Sequence, residues 1–371
     1  MPQADNPLRR LSACGQSVWY DDIHRSLLTS GGLARLIAED DLRGLTSNPT
    51  IFDKAITSTH EYDTEIQRQL RAAPEQSSRE LFYTLAVADI REAADLLRPV
   101  YHATDGVDGL VSLEVSPDLA DDTEATVREA RALHARLGRA NVLIKVPATR
   151  AGLPAIAELI ADGIGVNVTL LFAVERYEAV VDAYLSGLER RLESGRSVAG
   201  INSVASFFVS RLDTALDPLL AACRPEWQGC LAIANAKAAY RRFKEFFESP
   251  RFAALSAAGA RPQRLLWAST STKNPAYPEL LYVESLIGPH TVNTLPPATY
   301  EAFRVHGKVR STLETEVETA LAKLTGLAEL GIDLNAVTDR LEEEGVAAFA
   351  RSFANLLADL EAKAAELGAS V

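Results

Sequence analysis

Apolar and polar positions alternate along this chain on two length scales. Short runs rich in β-branched and aromatic residues, most of them closed by a polar residue, fall at residues 17–22, 44–49, 109–117, 141–149, 165–172, 201–208, 264–270 and 290–296. Between them apolar residues return every three or four positions, the spacing of one helix face. That spacing predicts one or two helical turns within 23–38 and helices over 51–72, 78–101, 121–137, 152–162, 174–194, 209–222 and 229–248. Pro49 is expected to stop the second run, and Pro74 and Pro99 to end the two helices after it. From Tyr300 onward the pattern is helical throughout. It ends in an amphipathic helix with Val346, Phe349, Phe353, Leu356 and Leu360 on one face, placed to cover the barrel, drape over its mouth or meet a second subunit.

Eight runs too apolar to face water, separated by helices, point to a closed parallel sheet. The predicted class is α/β, a (β/α)8 TIM barrel with extra helices and a helical C-terminal extension. No glycine-rich phosphate loop follows any run, which weighs against an open doubly wound sheet. Repeats, low-complexity linkers and composition breaks are absent, so one catalytic domain is expected over 1–371, with an N-terminal tail at 1–16 and C-terminal helices at 300–371.

Composition narrows the chemistry. The chain has 371 residues, 47% hydrophobic and 24% charged, and a net charge of −12, which would repel a phosphate backbone and argues against nucleic acid as partner. Cys14, Cys223 and Cys230 are too few and too irregular for a disulfide framework, and the six histidines show no metal-ligand spacing. Neither a secretory h-region nor a bilayer-length apolar stretch occurs. A cytoplasmic protein without membrane contact is expected, either a monomer or a homodimer.

The run at 141–149 holds a lysine, Lys145, among Val142, Leu143, Ile144 and Val146. A lysine stem can be buried but its charge cannot, so the amine must be paired, reach water, or lose its proton and act as a nucleophile. Desolvation favours the neutral amine, the form that attacks a ketone to give a Schiff base.

In a barrel enzyme the polar residues that close the strands meet at one mouth. Here those residues are Asp21, Asn48, Glu114, Lys145, Thr169, Ser206 and Ser269. Each alone has an ordinary structural reading: Asp21 as a helix cap, Glu114 as an ion-pair partner of Lys145, the others as turn or cap residues. Together they supply an amine, two carboxyl groups and a hydroxyl around one space, the set that imine formation and carbon–carbon cleavage need.

These residues and the words around them resemble the transaldolase family, in its longer bacterial class. The matching stretches are SVWYDD (17–22), GLTSNPTIF (44–52), VSLEVSP (111–117), VLIKVPAT (142–149), GVNVTLLF (165–172), SVASFFVSRLD (203–213) and WASTSTKNP (267–275). The resemblance implies a (β/α)8 barrel that moves a dihydroxyacetone unit from a ketose phosphate, such as fructose 6-phosphate or sedoheptulose 7-phosphate, to an aldose phosphate of the pentose phosphate pathway. It implies that neither cofactor nor metal is needed. It implies Lys145 as the Schiff-base lysine, Glu114 and Thr169 as the holders of the catalytic water, and Asp21 as the acid–base group of cleavage. It further implies that Asn48, Asn167 and Ser206 bind the hydroxyls of the three-carbon unit and that Arg211, Ser269 and Lys273 bind the phosphate. Phe208 is a pocket wall or a core residue. Two departures stand out: Lys273 lies farther along than the arginine of shorter transaldolases, and Ser271 stands where this class has a glycine. The alternatives are a class I aldolase that releases free dihydroxyacetone and a catalytically silent barrel that binds sugar phosphates.

Overall fold

The computed structural model describes residues 6–368. Eight parallel strands, β1 (Gln16–Tyr20), β2 (Gly44–Leu45), β3 (Leu110–Glu114), β4 (Val142–Pro147), β5 (Val166–Leu171), β6 (Ser203–Phe208), β7 (Arg264–Ala268) and β8 (Thr291–Leu295), follow one another around a closed barrel. β1 closes on β8 from Gln16 opposite Thr291 to Tyr20 opposite Leu295. Helices between the strands cover the outside, so β3 to β8 are buried along their whole length. Burial on both faces is why β4 and β7 are apolar apart from Lys145 and Arg264, whereas β5 and β8 carry buried polar residues, Asn167 and Thr169 in one and Thr291, Asn293 and Thr294 in the other. The (β/α)8 expectation is met.

The N-terminal end of the barrel is plugged by charge rather than by aliphatic side chains. Arg264 donates to Ser17 Oγ (2.9 Å) and Asp108 Oδ1 (2.9 Å), and Ser17 donates to Asp108 Oδ2 (3.0 Å). Every member has a partner, as burial of such a group requires.

Several boundaries differ from the periodicity, each for a local reason. Pro49 opens a helix (Pro49–Thr57) rather than closing a strand, because the Asn48 side chain accepts from Ile51 N and proline suits the first helical turn. The stretch 51–72 is two helices, the second being Asp63–Ala72. The helix Ser78–Ala103 runs through Pro99 to its own end. A further helix, Pro250–Ala257, is capped by Ser249, and residues 307–316 are not helical. In the segment read as a tail, residues 1–5 lie outside the described residues, while Pro7–Leu11 form a short helix with Leu8 and Leu11 buried. Residues 369–371 of the C-terminal segment also lie outside them.

The last helix, Leu334–Gly368, covers the C-terminal mouth of the barrel. It packs on the helices Pro49–Thr57, Asp63–Ala72 and Ser78–Ala103. Its buried face is the anticipated one, with Phe349, Phe353, Leu356 and Leu360. Phe353 meets Phe82 edge to face at 5.5 Å. Near the far end Lys363 pairs with Asp63 at 2.7 Å and donates to Ile56 O and Thr59 O, and nearer the start Arg176 pairs with Glu342 at 3.0 Å.

Candidate active site

Lys145 stands in the middle of β4, and register sets its neighbours: Glu114 lies opposite it on β3 and Asn167 opposite it on β5. Its Nζ donates to Glu114 Oε2 and to Ser47 O, both at 3.2 Å, and lies 5.4 Å from the centre of the Phe349 ring. Only 5% of the residue is exposed. The sequence left pairing, snorkelling and nucleophilic use open for this lysine. The geometry combines a buried pair with access, because Lys145 also lines a cavity of about 380 Å3 at the barrel mouth.

Asp21 follows β1, held by its backbone N–H to Leu295 O (2.9 Å). Its Oδ1 accepts from Thr46 Oγ1 at 2.6 Å, and Thr46 is itself 2.6 Å from Thr294 Oγ1. Burial pushes the Asp21 carboxyl above its ordinary value, with Thr46 and Lys145 opposing. Burial likewise raises Glu114, opposed by Lys145 and reinforced by Asp21. One ammonium therefore serves two desolvated carboxyl groups, and a proton on either is favoured relative to water.

Thr169 lies on β5 where the pairing with β6 shifts between Val168 and Leu171. Leu170 there takes a left-handed φ of 60°, a rare conformation for a residue with a γ-branched side chain. The Thr169 hydroxyl lines the cavity and is buried without a hydrogen-bond partner. Such a group calls for a ligand or water.

Among the other residues named from the sequence, Asn48, Ser206, Phe208, Arg211, Ser269 and Lys273 line the same cavity as Asp21, Lys145 and Thr169. Asn48 spends its Oδ1 on its helix cap, which leaves its Nδ2 as a donor. Glu114 and Asn167 do not line the cavity. Glu114 reaches it through Lys145, and Asn167 through Ser206, whose hydroxyl donates to Asn167 Oδ1 at 2.7 Å while Asn167 Nδ2 donates to Ser112 Oγ at 3.0 Å.

Arg211 and Lys273 form a cationic wall across the barrel from β2. Neither has a carboxylate within ion-pair distance among the described residues; Arg211 lies 5.4 Å from the Phe208 ring centre, and Lys273 donates to Ser271 Oγ at 2.8 Å. Burial lowers the pKa of both, and the Arg211 charge lowers Lys273 further. Ser269, at a left-handed φ of 55°, shares a hydrogen bond with Ser210 at 3.0 Å. Ser271 is not in the left-handed region, so a side chain is tolerated where the class has glycine, and its hydroxyl holds the lysine. Thr46, Lys54, Thr294 and Phe349 also line the cavity. The sequence reading did not place them there. Thr46 and Thr294 lie in strand runs, and Phe349 is on the helical face for which the barrel mouth is one expected position, but no single-residue signal gave them or Lys54 a role in the site. Among the described residues no cluster of His, Cys, Asp and Glu is arranged to hold a metal ion, and no helix is long and apolar enough to cross a membrane.

A (β/α)8 barrel that gathers a buried amine, two protonatable carboxyl groups and two unpaired cations at one mouth has the equipment of enzymes that make and break carbon–carbon bonds through an imine. Residues 18–360 match the model of the transaldolase/fructose-6-phosphate aldolase family, and the chain belongs to that family. It is 51% identical over 359 residues to a transaldolase of Acidothermus cellulolyticus, with 95% of each chain covered. It is 50% identical over 357 residues to one of Thermobifida fusca, covering 95% of this chain and 96% of that one. Against a transaldolase of Neisseria gonorrhoeae the identity is 47% over 353 residues, covering 95% and 99%.

Proposed function

We propose that this chain is a transaldolase that carries a dihydroxyacetone unit on Lys145 from a ketose phosphate, sedoheptulose 7-phosphate or fructose 6-phosphate, to glyceraldehyde 3-phosphate or erythrose 4-phosphate. The observation that carries this reading is the buried Lys145–Glu114 pair at 3.2 Å, opening onto a cavity that also holds Asp21 and the unpartnered Thr169 hydroxyl.

Lys145 passes a proton to its partner Glu114, and the neutral amine so formed adds to the ketose C2 carbonyl. Glu114, acting through a water held with Thr169, protonates the C2 hydroxyl, which leaves as water and yields the iminium. Asp21 takes the proton of the C4 hydroxyl as the C3–C4 bond breaks. The electron pair of that bond enters the iminium to give an enamine on Lys145, and the shortened aldose leaves. The acceptor aldehyde then takes the enamine carbon, Asp21 returns its proton to the new hydroxyl, and water releases the product. The upward shift that burial gives Asp21 and Glu114 makes each a better proton acceptor than an exposed carboxylate. Asn48, Ser206 and, through it, Asn167 bind the hydroxyls of the fragment, while Phe208 walls the pocket. Arg211, Lys273 and Ser269 hold the phosphate, by charge-assisted bonds from the two cations.

The enzyme works as one catalytic unit over the whole chain, in the cytoplasm, where its free cysteines stay reduced. The test is borohydride reduction after incubation with fructose 6-phosphate, with the adduct mapped by mass spectrometry. Label on Lys145, reduced by added erythrose 4-phosphate, is the expected result. An unlabelled Lys145 overturns the mechanism, and steady release of free dihydroxyacetone without acceptor makes the enzyme an aldolase instead.

A further inference from the structure

The two cations assigned to phosphate sit on different elements. Arg211 is in the first turn of the helix Ser210–Leu220 that follows β6, and Lys273 is in the loop that follows β7. Their separation depends on how that loop is tied to that helix. Two buried aspartates make the tie, one helical turn apart on the helix that carries Arg211. Asp213 Oδ2 accepts from Tyr282 OH at 2.9 Å, and Asp217 Oδ2 accepts from Tyr277 OH at 2.5 Å. The second oxygen of each is fixed from elsewhere: Asp213 Oδ1 accepts from Ala232 N at 2.7 Å, and Asp217 Oδ1 from Gly229 N at 3.0 Å. Neither aspartate has a lysine or arginine within ion-pair distance among the described residues.

The tyrosine side of the contact is equally constrained. Tyr277 N donates to Asn274 O at 3.1 Å, and Ala276 N to Asn274 Oδ1 at 3.0 Å, so a tight turn links Tyr277 rigidly to Lys273. Gly229, at a left-handed φ of 70°, lets the ring of Tyr277 close on its backbone; a Cβ there would come within 3.0 Å of Tyr277 Cζ. Lys273 lines the catalytic cavity and also a neighbouring cavity of about 320 Å3 walled by Asp217, Tyr277 and Tyr282. The loop therefore touches the site at one end and the Tyr277–Asp217 bond at the other, and Tyr282, in the short helix Leu281–Ser285 just beyond it, ties that end to Asp213.

We propose that Tyr277 and Tyr282, held by Asp217 and Asp213, are positioning residues that set the spacing of Arg211 and Lys273 and so the enzyme's grip on the phosphate end of its substrates. The proposal rests on the transaldolase reading above. Tyr277→Phe and Tyr282→Phe keep the rings and remove the bonds. Each raises KM for fructose 6-phosphate and the inhibition constant of inorganic phosphate together, by about three- to tenfold, the range of one lost hydrogen bond. kcat stays within about twofold, and KM for unphosphorylated dihydroxyacetone as donor does not move. Asp217→Asn, which can still accept from Gly229 N and meet the tyrosine hydroxyl, stays near the wild type and shows that the contact rather than the charge matters.

Equal changes for phosphorylated and unphosphorylated donors, or an unchanged phosphate inhibition constant, overturn the proposal. Should a phenylalanine variant fold poorly, Asp217→Asn/Tyr277→Phe removes the stranded carboxylate and carries the same expectation. Borohydride trapping of dihydroxyacetone on wild-type Lys145 keeps the two claims apart: absence of trapping defeats the transaldolase reading, whereas trapping with unaltered phosphate kinetics defeats the positioning role alone.

Discussion

Replacing Lys145 with methionine removes the nucleophile and leaves Glu114 buried without its counter-charge. At 3.2 Å and an effective dielectric of about 20, the lost attraction is about 5 kcal/mol, and breaking one side of a buried pair costs about 3–5 kcal/mol. Glu114 has an escape, because it can take up a proton. From an ordinary value of 4.5, protonation costs about 1.4 kcal/mol per pH unit, hence about 3.4 kcal/mol at pH 7 and about 0.7 kcal/mol at pH 5. The escape is the smaller cost at pH 5 and sets the ceiling at pH 7.

The sign follows from linkage. The Glu114 pKa already lies above its ordinary value in the folded protein, and removal of Lys145 raises it further. The folded variant then holds a proton that the unfolded chain releases, so its stability falls as pH rises above about 4.5. Asp21, which shares the same counter-charge, adds in the same direction. Urea unfolding of wild type and Lys145→Met at both pH values measures the difference, in which the pH dependence of groups other than Glu114 and Asp21 cancels. At most about 3 kcal/mol of destabilisation is expected at pH 7, reduced by the part already present because the wild-type Glu114 pKa is itself raised, and less than about 1 kcal/mol at pH 5. Glu114→Gln/Lys145→Met should recover most of the loss at pH 7. A destabilisation that is the same at both pH values would refute the reasoning, since it would mean that Glu114 is not the group left stranded.

Two further outcomes are expected. Arg211→Ala should raise KM for fructose 6-phosphate about tenfold to a hundredfold, the worth of a charge-assisted bond to phosphate, while KM for dihydroxyacetone changes little; equal effects in steady-state kinetics would remove the phosphate role. Gly44→Ala should lower the thermal midpoint by the equivalent of about 1–3 kcal/mol, because its Cβ would lie 2.4 Å from Trp19 Cε2, inside the fully buried indole of the neighbouring strand; an unchanged midpoint would contradict the packing of β1 on β2.

Much of the barrel can be read locally. A strand covered on both faces is rich in apolar residues, and a polar residue within or at the end of it must have a reason, so eight runs and the residues closing them stand out without any contact information. Lys145 stands out most because no other residue of its run carries charge. Local signals fail where one residue has two uses. Pro49 ends a strand or starts a helix depending on the Asn48 cap, and Pro99 near a helix end removes one hydrogen bond without stopping the helix. They fail again for Phe349, separated from Lys145 by most of the barrel in sequence. Its helical face is legible, but what that face covers is not.

The sequence by itself determined the order of strands and helices, the class of barrel and the residue types assembled at its mouth, because each depends on hydrophobic spacing or on the chemistry of single side chains. Only the tertiary structure decided which of those residues share one cavity. Register put Glu114 and Asn167 beside Lys145 but outside the cavity lining, Thr169 stands unpartnered next to the register shift at Leu170, and the last helix set a phenylalanine over the amine. Those outcomes depend on distances between chain segments far apart in sequence, and such distances are fixed only once the sheet closes and its helices pack.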